Sequence, residues 1–352
     1  STDLIEWARE GGDTTTTRVF RDPSAWYHFH LKATVSATQL YINGVLDSTI
    51  TNSASYSSTA FTIGATTGLA NFFGGYLAEF HCVNGSSLDP DSFGEAGDYG
   101  EWKPIKYTGS HGTGGFHLDF KAGGNLGNDA AGGTDLTENN LAASDQTTDT
   151  PTNNFAVMNN LDNYYYGGTF SEGNLKLVTG GNQLEGSHTG TFGMSSGKWY
   201  FEVMQTSSGT SLLVGIRGSF GTGAKNSVGI PTDGYAYIGL SGYQNLVIGG
   251  SYTAYGTVVT KGDGDIISVA VDLDNMKCYW AKNGTYLNSG DPAGNSNGRA
   301  LITPPSGFYY PCIGDYDSSS YGCFINFGQE GLFGGNTSAG GNADDEGYRN
   351  FK

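Results

Sequence analysis

Asp272-Leu273-Asp274-Asn275 places three oxygen-bearing side chains within four residues. Hard cations such as Ca²⁺ recruit donor sets of this kind. The flanks point elsewhere: Val269-Ala270-Val271 leads in and Met276-Lys277-Cys278-Tyr279-Trp280 leads out, so the run reads as a hairpin turn. Asp263 and Asp265 flank Gly264 and read the same way, and Asp89, Asp91 and Glu95 are sparser still. Calcium is the one metal worth testing, and no cofactor is expected. His28 and His30 stand two apart and share a strand face that zinc could use. No third ligand accompanies them, Cys82 lies far along the chain, and a half-buried strand pair is the plainer reading. His111, His117 and His188 add nothing further at this stage.

Catalytic patterns are wanting. Glycoside hydrolysis needs two carboxylates facing each other across a sugar, and nothing in the sequence pairs Glu79 with Glu202 or Asp119. No strand–helix elbow around a nucleophilic serine is present. Gly221-Thr222-Gly223 lacks the lysine and the helix of a phosphate loop. The expectation is therefore not an enzyme.

Aromatic turns are the stronger lead. Tyr164-Tyr165-Tyr166, Tyr243 with Gln244 and Asn245, Tyr252 with Tyr255, and Tyr316 between Asp315 and Asp317 all fall near Gly- and Asn-rich stretches. Sugar CH faces pack on tyrosine rings while Asn, Asp and Gln meet the hydroxyls. Tyrosine is also enriched at protein interfaces, so the same rings could instead cover sheet edges or meet a neighbouring subunit.

Composition narrows the partners. The net charge is −17 and only 14% of residues are charged, so Ser, Thr, Asn and Gly must solvate much of the surface. Phosphate backbones and anionic bilayers need clustered Lys and Arg, and no such cluster exists. Nucleic acid is excluded as a partner, and no apolar run reaches the ~20 residues of a membrane-crossing helix. Cys82, Cys278, Cys312 and Cys323 read as buried free thiols, with a Cys312–Cys323 hairpin bridge as the alternative.

The elements that must position these groups are strands. Apolar/polar alternation over short runs, bounded by Gly, Asn, Asp and Ser, recurs along the chain with almost no helical period. Trp26 to Ala33 alternates, and Gln39-Leu40-Tyr41-Ile42 meets Asn43-Gly44, a strong hairpin signal. Phe61-Thr62-Ile63-Gly64 and Gly75 to Cys82 read as further strands. The pattern fails over 122–154, which reads as a linker or as a meander laid over a neighbour, and resumes near Phe155. The expected fold is all-β, two antiparallel β-sandwiches of jelly-roll type in tandem. Their bounds are 1–121 and 155–328, with a connector at 122–154 and a Gly/Asn-rich tail or long loop at 329–352.

Family resemblance sharpens this organisation. Gly197 to Val203, Leu212 to Ile216, Gly264 to Asp274 and Cys323 to Gly328 together resemble a SPRY domain, which implies recognition through loops. Asp22 to Phe29, Leu40 to Val45, Phe61 to Ala65 and Phe73 to Phe80 resemble a laminin-G-like or concanavalin-like lectin fold. Members of that family carry strands ahead of the tryptophan strand. Here only about twenty residues precede it, which implies a front portion elsewhere or supplied by a neighbour. The resemblance also implies a calcium ion at a loop rim. Leu88 to Glu95, Trp102 to Gly109, Gly114 to Phe120 and Asp149 to Ala156 resemble the connector of a tandem found in tailed-phage virion proteins, often marine.

The resemblance implies a virion structural or adhesion protein, a tail fibre or particle appendage exposed on the virion surface and extracellular. It would act as a homo-oligomer, a trimer by family analogy, binding host-surface glycan or another virion protein. A purely architectural decoration protein and an extracellular polysaccharide depolymerase are the alternatives. The residues expected to meet a ligand are Tyr164, Tyr165, Tyr166, Tyr243, Gln244, Asn245, Asp315, Tyr316 and Asp317.

Overall fold

The computed structural model describes residues 4–9, 12–51, 62–66, 68, 70–164, 167–180, 186–207, 209, 211–219, 231–242, 244–338 and 351–352. Among them the regular structure is strand, broken only by 3₁₀ turns at Pro90–Ser92, Ala143–Asp145 and Leu287–Ser289. No helix among the described residues is long and apolar enough to cross a membrane. The chain divides into two compact units, Ser1–Asn154 and Phe155–Lys352.

The first unit holds β1 (Glu6–Arg9), β2 (Gly12–Thr15), β3 (Phe29–Ala33), β4 (Ala37–Ile42), β5 (Val45–Thr51), β6 (Phe80–Cys82), β7 (Gly94–Ala96), β8 (Trp102–Pro104) and β9 (Phe116–Leu118). They form small antiparallel sheets: β3-β4-β5 as a meander, and β1-β2, β6-β9 and β7-β8 as pairs. The meander turns where the sequence says it should, because Asn43 and Gly44 take φ of 50° and 77°, the backbone that a two-residue hairpin needs. Leu40, Ile42 and Ile50 of the meander and Phe116 and Leu118 of β9 are buried apolar side chains of this unit.

Two expected strands are corrected. Ile63, Gly64 and Ala65 form a bend and Thr62 is irregular rather than strand, while Phe61 lies outside the described residues. The run from Gly75 pairs only from Phe80 to Cys82, since Glu79 takes φ 49° and breaks extension. The 122–154 segment has no strand of its own, but its acids fasten it. The Asp129 carboxylate accepts the backbone N–H groups of His117, Ala131 and Gly133. Trp26 Nε1 donates to Asp149 at 2.9 Å.

The second unit is a two-sheet sandwich. Its strands are β10 (Met158–Tyr164), β11 (Thr169–Ser171), β12 (Lys176–Val178), β13 (Ser187–Gly190), β14 (Lys198–Gln205), β15 (Leu212–Arg217), β16 (Gly234–Tyr237), β17 (Leu246–Ile248), β18 (Ser251–Thr253), β19 (Ile266–Asp272), β20 (Lys277–Lys282), β21 (Thr285–Tyr286), β22 (Arg299–Ala300), β23 (Tyr310–Asp315) and β24 (Gly322–Asn326). One sheet runs β10-β13-β23-β15-β16-β17-β18. The other runs β11-β12-β24-β14-β19-β20-β21, with β22 beside β20.

Alternate residues of the two sheets meet in one core: Leu212, Val214 and Ile216 of β15 face Phe201, Val203, Val269 and Trp280. Trp280 is fully buried, and its Nε1 donates across to the Val214 carbonyl at 3.0 Å. Every residue of β15 and of β19 is buried, so both faces of the sandwich's central strands are covered.

Cys312 and Cys323 lie in opposite sheets, on β23 and β24, and both are free thiols. The segment between them crosses from one layer to the other instead of folding a hairpin within one sheet, so the bridge reading is wrong. Burial pushes the Cys312 thiol up to about 11 and the Cys323 thiol up to about 12, which keeps both protonated and unreactive. The expected tail also changes character. Phe333 is fully buried and packs with Met204, Ile266 and Phe324 on the outside of the eight-stranded sheet.

Candidate functional site

Strand register in the second unit decides which turns share an end. Met204 opposes Ile266 and Gln205 opposes Cys323, so residues 206–207, 260–265 and 316–321 emerge together. In the other sheet Tyr164 opposes Ser187, Ser187 opposes Gly314, and Leu212 opposes Asp315. Tyr237 opposes Leu246, which puts residues 238–242 and 244–245 at the same end. Strand ends and turn residues scattered over more than 150 residues of sequence, those at Tyr164, Gln244 and Tyr316 among them, therefore converge.

Their side chains divide into two roles. Tyr252, on edge strand β18, meets Tyr316 edge-to-face at 5.7 Å, and both are half-buried against Leu213, Ala236, Val247 and Cys312. Gln244 is exposed. Asn245 is not a surface group: it is fully buried, and its amide donates to the carbonyls of Tyr255 and Thr257 and accepts from Val259 N–H. That pins the 254–259 turn. Tyr255 is buried against Trp280.

Asp315 is buried and accepts from Gly186 N–H. Asp317 accepts from Tyr321 Oη–H at 2.7 Å and from Ser319 N–H. These donors hold its carboxyl below the usual carboxylate range, against the opposing push of burial. Tyr165, Tyr166, Tyr243 and Gly221-Thr222-Gly223 lie outside the described residues, as does the side chain of Tyr164.

Two open clefts sit at this end. One, of about 470 Å³, is lined by Gly256, Val259, Lys282, Tyr286 and Asn288 among others. The second, of about 550 Å³, lies between Thr206, Gly264 and the 336–338 segment. The opposite end differs in chemistry. Phe192 and Phe308 are exposed there, and a Cβ at Gly193 would sit 3.0 Å from the Tyr310 ring and 3.2 Å from that of Phe308.

Three of the acids considered as metal or catalytic groups, Asp265, Asp272 and Glu202, are occupied. Asp272 accepts from the backbone and side-chain nitrogens of Asn275, and Asp265 pairs with Lys282 at 2.8 Å and accepts from Asn283. The Asp272–Asn275 run is a turn between β19 and β20. Glu202 is fully buried on the outer side of its sheet. It accepts from Tyr200 Oη–H, Asn326 Nδ2–H and the Lys352 backbone, and burial raises its carboxyl.

In the first unit the histidines assemble differently from the sequence reading. His28 precedes β3, stacks on Trp102 at 5.7 Å and lies 6.1 Å from the His30 ring, whose Nε2 meets the Leu88 carbonyl. The groups that converge are His81, His111 and His117, one ring nitrogen from each lying within 4.8 Å of the others. His81 on β6 and His117 on β9 are direct cross-strand partners, and their rings stack at 4.0 Å. His81 Nδ1 and His111 Nε2 are 3.1 Å apart, and His117 Nε2 donates to Glu79 Oε2 at 2.7 Å.

Burial, followed by the neighbouring imidazoles, lowers the His81 ring to about 4 and depresses His111 as well. A sequence signal existed. Phe80-His81-Cys82 and Phe116-His117-Leu118 repeat one Phe-His-apolar pattern on two paired strands.

No protein family matches the chain, and no curated protein matches it. Among solved structures, the crystal structure of the SPRY domain of human HERC1 matches with a TM-score of 0.33 and 17% identity. The match covers 44% of this chain and 88% of that chain, a distant structural likeness to a SPRY domain.

Proposed function

We propose that the chain is a non-enzymatic virion protein, part of a tail fibre or particle appendage, that recognises host-surface glycan through the tyrosine-bearing end of its second unit. The observation that supports this reading is the convergence of strand ends and turns far apart in sequence at one end, where the half-buried Tyr252–Tyr316 pair stands with exposed Gln244 and two open clefts. Aromatic faces with polar neighbours suit sugar rings, and loop clusters at one end of a sandwich are a common recognition surface. The virion assignment draws on the sequence resemblance of the tandem.

Weak sites of this kind gain from repetition, so the protein acts as a homo-oligomer on a particle. The −17 charge disfavours nucleic acid. The test is a glycan array probed with the full chain and with Tyr316→Ala/Gln244→Ala. Binding that disappears in the double variant, without reducing-end release, supports the reading. Release of reducing ends from capsular polysaccharide would replace it with a depolymerase.

A second reading, architectural contact with a neighbouring virion protein, draws on the exposed Phe192 and Phe308 beside Tyr310 at the opposite end. Aromatic residues are enriched at protein interfaces. Phe308→Ser would then weaken self-association or assembly and leave glycan binding intact.

A further inference from the structure

We propose that His81, His111 and His117, together with the Glu79 carboxylate, bind a divalent transition metal, Zn²⁺ foremost. One ring nitrogen from each histidine already lies within 4.8 Å of the others. Four donors about 2.0–2.1 Å from a tetrahedral ion stand roughly 3.3 Å from each other. His81 Nδ1 and His111 Nε2 are 3.1 Å apart, and Glu79 Oε2 lies 2.7 Å from His117 Nε2 and 3.8 Å from the other nitrogen of His81, Nε2. The His81 and His117 rings stack with their planes 12° apart, so a shared ion requires them to turn until one lone pair of each points at it.

The scaffold fixes each donor separately. His81 and His117 occupy opposing positions of β6 and β9, so their Cβ atoms face the same side of the pair. His111 reaches them because its loop lies hard against β6. Its carbonyl accepts from Asn84 N–H at 2.9 Å. A side chain at Gly115 would collide with the carbonyls of His111 and Cys82, at 1.9 and 2.6 Å. Glu79 holds a left-handed backbone, φ 49°, which is uncommon for a residue with a long side chain and turns its carboxylate toward His117.

Phe93 and Tyr107 wall the cluster: Tyr107 meets His81 and His111 edge-on, and Phe93 lies 5.2 Å from the His81 ring. Each imidazole binds a metal through its unprotonated nitrogen and keeps an N–H on the other. Imidazoles with one carboxylate suit Zn²⁺, and also Ni²⁺ or Cu²⁺, rather than the oxygen-seeking Ca²⁺. The ion would tie the β6–β9 pair to the loop that carries His111.

The test uses the full chain without an affinity tag, stripped with a chelator and titrated with Zn²⁺ by calorimetry. One Zn²⁺ per chain is expected, with affinity falling on the order of 100-fold in His111→Ala and in His117→Gln. Asp91→Asn, at an exposed acid, leaves it unchanged. Should either variant fail to fold, Co²⁺ added to the unaltered chain decides the matter, because a low-coordinate imidazole site gives intense visible bands that Zn²⁺ then displaces. No stoichiometric binding, absence of those bands, or wild-type affinity in the folded histidine variants would overturn the assignment.

Discussion

The two units solve the burial problem in opposite ways. The second aligns long strands into two facing sheets, so that one continuous apolar core forms around Trp280, Phe201 and Val214. Among its described residues the first has mostly strands of three to five residues, only β4 and β5 reaching six and seven. Much of its interior is aromatic and imidazole: Trp102 on His28, Phe93 beside His30, and the stacked His81–His117 pair. Long alternating strands bury methyl groups and leave polar chemistry to the turns. Short strands joined by Gly- and Asp-rich loops bury rings with nitrogen atoms, and so bring ligating groups together inside the unit. A candidate site at loop tips and a candidate site among paired strands are the consequences.

Substitutions should separate the two regimes. Trp280→Ala removes the largest fully buried side chain of the sandwich and should cost about 4 kcal/mol. In calorimetry it should lower the melting of the second unit and leave that of the first unmoved. Phe333→Ala should cost about 3 kcal/mol in the same transition. A negligible effect there would return 329–338 to the status of a tail.

Acid should act on the second unit through His188, which is fully buried with neither ring nitrogen partnered among the described residues. Burial lowers it to about 4, so between pH 6.5 and 4 the unfolded chain binds a proton that the native state refuses. Stability should fall through that window by at most about 1.4 kcal/mol per pH unit. His188→Leu should flatten that slope in denaturant titrations. Gly112 has φ 74°, and a Cβ there would lie 2.1 Å from the Asn84 carbonyl. Gly112→Ala should therefore cost the first unit about 2 kcal/mol while the second melts as before.

Legibility in the sequence followed the same divide. The apolar runs at Gly197, Leu212, Gly264 and Cys323 became β14, β15, β19 and β24 because a long alternation has one way to satisfy both faces. Asn43-Gly44 announced its own turn. The histidine cluster stayed hidden because its members are 30 and 36 residues from His81, and only the β6–β9 register brings them together. Asn245 and Asp315 looked like ligand groups because a polar residue at a turn carries the same letters whether it faces outward or pins a loop. Phe333 was missed because one phenylalanine among glycines shows no period.

The central claim is that recognition belongs to the tyrosine-bearing end of the second unit. The most direct measurement compares glycan binding by the full chain, by Tyr316→Ala/Gln244→Ala and by Phe308→Ser, under conditions where all three melt alike. At least tenfold weaker binding in the first variant, with no change in the second, is the predicted result. Unchanged binding at the tyrosine end, or loss confined to Phe308→Ser, would contradict it.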